Sequence, residues 1–284
     1  MCGHNPDRHG DFPSLGEFHG ITDQVVHHLL QTGGIGAERQ IADVAQFKLQ
    51  RKPFLAKKLG EELISLRDTV RPAFLSIDHA LDKGVASNSG PVVIAEPADN
   101  PGGGAHGDGT SFLKALLESK VEDAVVGHIA DPESAKIGID AGIGATVTLN
   151  LGGKTDPRFG GTPLKVTGKV LAIADGVYTR KGKYATGTVG TIGPSFLLDL
   201  GHVRVIVSSI KSQIDDREQF RMFGIEPEKV NVLLCKASNH FRADFEPMAR
   251  KLIYIDSGGI VSRNFAQFPY RKVRRPIWPL DKID

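Results

Sequence analysis

Apolar and polar positions change rhythm along this chain, and the changes predict its architecture. From Pro53 the leucines Leu55, Leu59, Leu63 and Leu66 recur at helical spacing, while Lys57, Lys58, Glu61, Glu62 and Arg67 fill the other face. That pattern predicts an amphipathic helix. Pro72 ends it, and Ser76 to Leu81 reads as a short second helix. Pro91-Val-Val-Ile-Ala95 is a short apolar run that suits a buried strand. A glycine-rich stretch follows, then a helix from Ser111 to about Ser119. Ala124 to Ile129 reads as a strand and Pro132 to Ala141 as a helix. Two strand–helix units in succession predict an α/β fold with a parallel sheet.

The rhythm then shortens. Thr146 to Leu151, Leu164 to Ala174, Gly176 to Tyr184, Phe196 to Leu200 and Val203 to Ser208 are short and β-rich. Gly152-Gly153, Asp175-Gly176 and Gly193-Pro194 punctuate them. This predicts a mainly antiparallel β section, over about 145–210, inserted into or following the α/β part. Val230 to Cys235 is an apolar strand, His240 to Ala249 suits a helix, and Leu252 to Ile255 suits another strand. The proline-rich tail from Tyr270 to Asp281 reads as extended.

Residues 1–50 form a poorly defined N-terminal segment, set apart from a domain over 51–284. The segment holds His4, His9, His19, His27 and His28, five of the ten histidines, and little sustained apolar periodicity. Ile21 to Leu30 makes one helical piece, which Gly33-Gly34 ends.

Bulk composition narrows the function classes. With 284 residues and 40% apolar content, the chain can bury a core in one or two domains. A net charge of +2 gives no whole-surface attraction to nucleic acid or to an acidic partner. The two cysteines, Cys2 and Cys235, make no disulfide framework. No apolar run of about eighteen residues predicts a membrane span. The start of the chain lacks an apolar signal core, so a cytoplasmic location is expected.

The richest chemistry lies in Ala98-Asp-Asn-Pro-Gly-Gly-Gly-Ala-His-Gly-Asp-Gly-Thr110. Its five glycines let the backbone approach a ligand closely. The helix from Ser111 offers its first amides and its dipole to an anion or oxyanion. Asp108 and Thr110 are candidate helix caps, and Asp99, Asn100 and His106 are polar groups able to face outward. A plain structural turn is the competing account. Gly102, Gly104 and Gly107 also satisfy the spacing of a dinucleotide fingerprint, with Asp131 further on. Asp108 would repel the pyrophosphate in that role.

The same stretch closely resembles a signature of the microcystinase C (MlrC) family of metallopeptidases. Leu149-Asn-Leu-Gly-Gly-Lys154, Ser238-Asn-His-Phe-Arg242 and Tyr270-Arg-Lys-Val-Arg-Arg-Pro-Ile-Trp-Pro-Leu-Asp281 resemble further segments of that family, in the same order. The resemblance runs from about Pro53 to Asp281 and covers the family's C-terminal region. It implies a zinc-dependent amide hydrolase acting on a small peptide. It also implies that the zinc ligands, an Asp-x-His pair and a later histidine, lie in an N-terminal α/β domain. Asp7-Arg-His9 has the spacing of such a pair, but no apolar strand precedes it and its flanks do not match. Zinc is thus expected for the full-length family and not on this chain alone.

Other residues complete the candidate set. His240 follows an apolar strand, where open α/β sheets place their sites, and is the candidate catalytic group. A locally bonded helix histidine is its plain alternative. Candidate substrate-binding residues are Asp99, Asn100, Gly102, Gly103, Gly104, His106, Asp108, Thr110, Lys154 and Arg242. Lys154 could meet a carboxylate as a point charge, and Arg242 could grip one with both arms. A solvated lysine and a surface ion pair are the competing accounts. His128, at the end of a strand, fits a core histidine. The basic run Arg271 to Arg275 fits a solvated or clasping tail better than a nucleic-acid contact.

The expected function is the C-terminal part of a microcystinase C-type hydrolase, inactive without its metal-binding domain. A non-catalytic ligand-binding or partner-docking fragment is the alternative, and a nucleotide or phosphate module a third. A small peptide is the expected partner, with a homodimer or a separate metal-carrying domain beside it. Neither nucleic acid nor membrane is expected.

Overall fold

The computed structural model describes residues 53, 55–69, 74–84, 91–119 and 121–283. The chain divides into two units, Met1–Pro72 and Ala73–Asp284. In the first unit, helix α1 spans residues 55–66, where the leucine spacing predicts it. The helical piece expected over Ile21 to Leu30 and the five early histidines lie outside the described residues.

The second unit runs through ten strands among the described residues. They are β1 (Val92–Ala95), β2 (Ala124–Ala130), β3 (Thr146–Leu151), β4 (Leu164–Ala174), β5 (Val177–Thr179), β6 (Val189–Thr191), β7 (Ser195–Asp199), β8 (Val203–Ser208), β9 (Val232–Cys235) and β10 (Lys251–Tyr254). The helices are α2 (Ile77–Gly84), α3 (Ser111–Glu118), α4 (Pro132–Ala141), α5 (Glu218–Arg221) and α6 (Arg242–Phe245). Eight strands form one sheet in the order β10-β1-β9-β2-β8-β7-β4-β3, and β5 and β6 make a separate hairpin.

The first five strands in that order pair in parallel. β8, β7, β4 and β3 then continue the sheet antiparallel. The mixed α/β fold expected from the sequence is therefore present. Its antiparallel section extends the parallel half edge to edge rather than forming a separate layer.

Alternation along the strands divides the core between the two faces of the sheet. Val92, Ile94, Val126 and Leu234 point to one face, where Phe112, Leu113 and Leu116 of α3 cover them. Val93, Ala95, Val125, Leu233 and Cys235 point to the other, against Phe220, Phe241 and Phe245. β1 and β9 are buried throughout, which is why they read as unbroken apolar runs. β3 lies at the sheet edge and alternates exposed and buried positions.

Two local expectations change. The helix expected over His240 to Ala249 is only Arg242–Phe245. Pro247 lacks an amide hydrogen and restricts the residue before it, so the helix cannot continue. The strand expected over Gly176 to Tyr184 shortens to Val177–Thr179, because its partner Val189–Thr191 offers only three pairs.

Gly138 lies in the middle of α4, where a Cβ would stand 2.3 Å from the buried ring of Phe196. Helix propensity alone would make Gly138→Ala stabilising by roughly 1 kcal/mol. Overpacking of this kind costs about 1–3 kcal/mol. G138A is therefore expected to lower the urea midpoint; a clear rise would refute this packing account.

Candidate functional site

Loops at the carboxyl ends of the parallel strands converge, which is where open α/β sheets place ligands. β1 delivers Glu96 and the segment to Thr110, β8 leads to Lys211 and Gln213, and β9 delivers Lys236 to His240. At the centre is a buried ion pair. The Lys236 ammonium, 1% exposed, lies 2.5 Å from an Asp99 oxygen and donates to the Gly109 carbonyl at 2.8 Å. Asp99 also accepts from the amides of Gly107 at 2.8 Å and Gly109 at 2.7 Å. One carboxylate thus ties three points of the glycine loop to the end of β9.

Burial opposes ionisation of Asp99, but Lys236 and the two amides overcome it and hold its carboxyl below the usual range. Burial likewise opposes the charge on Lys236, and Asp99 and Glu96 more than restore it. Glu96 is the third member. Its carboxyl is 1% exposed, 3.8 Å from Lys236, and neither of its oxygens has a hydrogen-bond partner. Burial pushes it up to about 7, against the pull of Lys236. One ammonium between two carboxylates neutralises the nearer, so Glu96 keeps its proton to higher pH than an ordinary carboxyl. Burial, helped by Lys236, also pushes His128 down to about 3, leaving a neutral core imidazole whose Nδ1 meets Ser208 Oγ at 3.0 Å.

The loop amides are spent internally. Gly102 donates to Asn100 Oδ1 at 3.0 Å, and Gly103, Gly104 and Ala105 donate to carbonyls of Asn100 and Pro101. Asn100 Nδ2 donates to Ser238 Oγ at 3.0 Å, joining the loop to the segment after β9. The amides of Thr110 and Ser111 both donate to the Gly160 carbonyl. The start of α3 is therefore closed by the chain itself and does not offer its first amide to an oxyanion. The same bonds occupy most of the amides that a phosphate loop would offer.

The remaining loop candidates are held in place as well. Asp108 accepts from the amides of Lys154 at 3.0 Å and Thr155 at 2.9 Å. Thr110 Oγ1 donates to the Thr162 carbonyl at 2.7 Å. Gly152 stands at φ +60, and a Cβ there would lie 2.5 Å from the Asp108 carbonyl. Lys154 Nζ reaches Asp131 at 3.1 Å and Glu133 at 2.7 Å, clamping this turn to the start of α4. Arg242 is engaged by Glu246, one turn away, at 2.9 and 2.7 Å. His106 Nε2 is buried and has no hydrogen-bond partner.

A cavity of about 410 Å³ lies beside the loop, lined by Gly102, Arg180, Tyr184, Lys211, Gln213 and Asp215 among others, and His240 touches two of these residues. The His240 ring stacks on Tyr184, with centroids 4.3 Å apart and planes 12° from parallel. Gln213 Nε2 lies 3.1 Å from His240 Nδ1. If the amide donates there, the histidine carries its hydrogen on Nε2. Gly102 makes room for this arrangement, since a Cβ would stand 2.2 Å from Gln213 Oε1.

Of the sequence candidates, Gly102 lines the cavity and His240 stacks against its Tyr184 wall, while Asp99, Asn100, Asp108, Thr110 and Lys154 build the frame. Lys236, Glu96, Gln213, Lys211, Tyr184 and Arg180 were not expected. A signal for two of them exists: Glu96 and Lys236 directly follow the apolar runs of β1 and β9. The other four come from segments far apart in the chain, and nothing local marks them.

The family described as MlrC C-terminus matches residues 94–272. Microcystinase C from Sphingomonas sp is 32% identical over 198 residues, 70% of this chain and 37% of that protein. A crystal structure named "putative metallopeptidase", from Mesorhizobium sp. BNC1, superposes with a TM-score of 0.70 at 26% identity. It covers 80% of this chain and 45% of the other. The chain thus spans less than half the length of these relatives.

Two outcomes test the buried ion set. Lys236→Met leaves Asp99 without its cation and is expected to cost about 3–5 kcal/mol in urea unfolding, with K236M/D99N recovering part of the loss. No recovery would mean that the pair is not the unit. Glu96 binds its proton more tightly folded, at about 7, than at its ordinary value of 4.5. Its contribution is complete below 4.5 and is lost as the pH rises through about 7. Glu96→Gln is expected to flatten that decline; an unchanged slope would exclude Glu96 as its source.

Proposed function

The chain belongs to the family of the MlrC C-terminus, and on that premise we propose that it is the substrate-binding part of a metal-dependent amide hydrolase acting on small peptides. The observation that carries this reading is the cavity at the carboxyl end of the sheet, with His240 held at its side by Tyr184 and Gln213. Its volume lies within the range of small-molecule sites. In this reading His240 is the catalytic group of the chain, presenting Nε2–H to a substrate carbonyl or to the oxyanion formed from it. The Asp99–Lys236 pair keeps the glycine loop rigid, so that the cavity wall does not reorganise as charge develops.

The hydrolytic metal is assigned to another domain. Among the described residues, no group of three His, Cys, Asp or Glu side chains converges to hold a metal. His240 and His106 do not form a ligand set with carboxylates, so these residues do not fit zinc. Zinc, which polarises carbonyls and activates water, would come from a metal-carrying domain docked at the same edge. A cytoplasmic location belongs to this reading; among the described residues no helix is long and apolar enough to cross a membrane.

A second reading, a ligand-binding module with no chemistry of its own, is favoured by the same donor set. Elemental analysis and peptide cleavage separate the two. The purified chain with added zinc is expected to bind a short linear peptide but leave its amide bonds intact. Cleavage is expected only with a metal-carrying domain added, and to fall by about 10²–10³ with His240→Ala. Stoichiometric zinc together with cleavage by the chain alone would overturn the division of labour. Full cleavage by H240A would remove the histidine from the chemistry.

A further inference from the structure

The cavity beside His240 carries an uncompensated charge that the hydrolase reading does not use. Arg180 forms its back wall, but its guanidinium is already satisfied. Nε lies 3.1 Å and Nη2 2.9 Å from the two oxygens of Asp215, and Nη1 lies 3.2 Å from Thr188 Oγ1. Asp215 is 2% exposed and also accepts from Tyr178 at 3.3 Å. Arg180 and Asp215 therefore cancel, and they are fixed.

Lys211 differs. It lines the same cavity, yet its ammonium makes only one hydrogen bond among the described residues, to the Ala105 carbonyl at 3.3 Å. No carboxylate of the described residues pairs with it. A lysine ammonium has three donors, so two remain for a ligand. Tyr184 lines the cavity beside this cation, its ring backed by the stacked His240 ring.

We infer that this cavity is a carboxylate subsite, in which Lys211 binds the anionic group of a short acidic or C-terminal peptide segment and Tyr184 receives the adjoining apolar or planar part. The charge count selects a monoanion. The lining carries Arg180, Lys211 and Asp215, a net single positive charge. A phosphate dianion would need a second free cation or free loop amides. Arg180 is committed to Asp215, and the amides of Gly102, Gly103, Gly104, Ala105, Gly107 and Gly109 are committed to Asn100, Pro101 and Asp99. The subsite rests on the peptide-binding reading above and gives it a substrate class: peptides with a carboxylate close to the bond presented to His240.

Calorimetry on the full chain tests this with N-benzoylglycine, its neutral amide N-benzoylglycinamide and inorganic phosphate. The acid is expected to bind at least about tenfold tighter than the amide, the contribution of one charge-assisted contact. Lys211→Met is expected to remove that preference and leave amide binding unchanged, while Lys211→Arg keeps most of it. Lys211 is exposed, so an unaltered melting curve is expected for both variants. Equal affinity for acid and amide, or an undiminished preference in K211M, overturns the subsite. Phosphate binding tighter than the acid overturns the carboxylate assignment. Retained acid preference without peptide cleavage in the presence of a metal-carrying domain removes the hydrolase reading and leaves the subsite standing.

Discussion

An ammonium sealed beneath a glycine loop is a demanding constraint, and much of the described site depends on it. Lys236 leaves β9 at the middle of the parallel sheet and is surrounded by protein. A lone buried charge of this kind would lose its proton or unfold its surroundings. It stays charged because Asp99 lies at hydrogen-bond distance, and Asp99 stays charged because Lys236 and two loop amides face it. The pair is mutually enforced. It places the end of β1, the glycine loop and the end of β9 in one geometry without help from loop propensity.

That geometry changes the role of the glycines. The sequence invites a picture in which glycine amides and a helix start reach out to an anion. In the structure the same amides are turned inward, onto Asn100, Pro101, Asp99 and Gly160. Glycine is needed for close approach of protein to protein: Gln213 against Gly102, and the Asp108 carbonyl against Gly152. The loop becomes part of the cavity wall through Pro101 and Gly102, with Lys211 beside it.

Glu96 adds a cost that the arrangement tolerates. When protonated, it leaves the buried set near neutrality, one ammonium to one carboxylate. Losing that proton would leave two carboxylates around one cation, away from solvent. The lysine–carboxylate pair by itself is weak evidence of stability, since burying ions costs much of what their attraction returns. Its value here is positional.

The chain alone determined the fold class and the family. Buried parallel strands read as apolar runs because both faces are covered, and helices declare themselves by spacing, as Leu55 to Leu66 and Phe112 to Leu116 do. The ordered motifs around Asp99, Lys154 and His240 placed the site in a family, because such motifs are local in sequence. Tertiary structure decided which of those residues are frame and which are free. Lys154 and Arg242 look alike as loop and helix cations, yet each is engaged by carboxylates, whereas Lys211, which nothing local marks, pairs with no carboxylate among the described residues. Whether a charge is spent depends on partners brought near by the sheet from distant segments, and no local spacing records that distance.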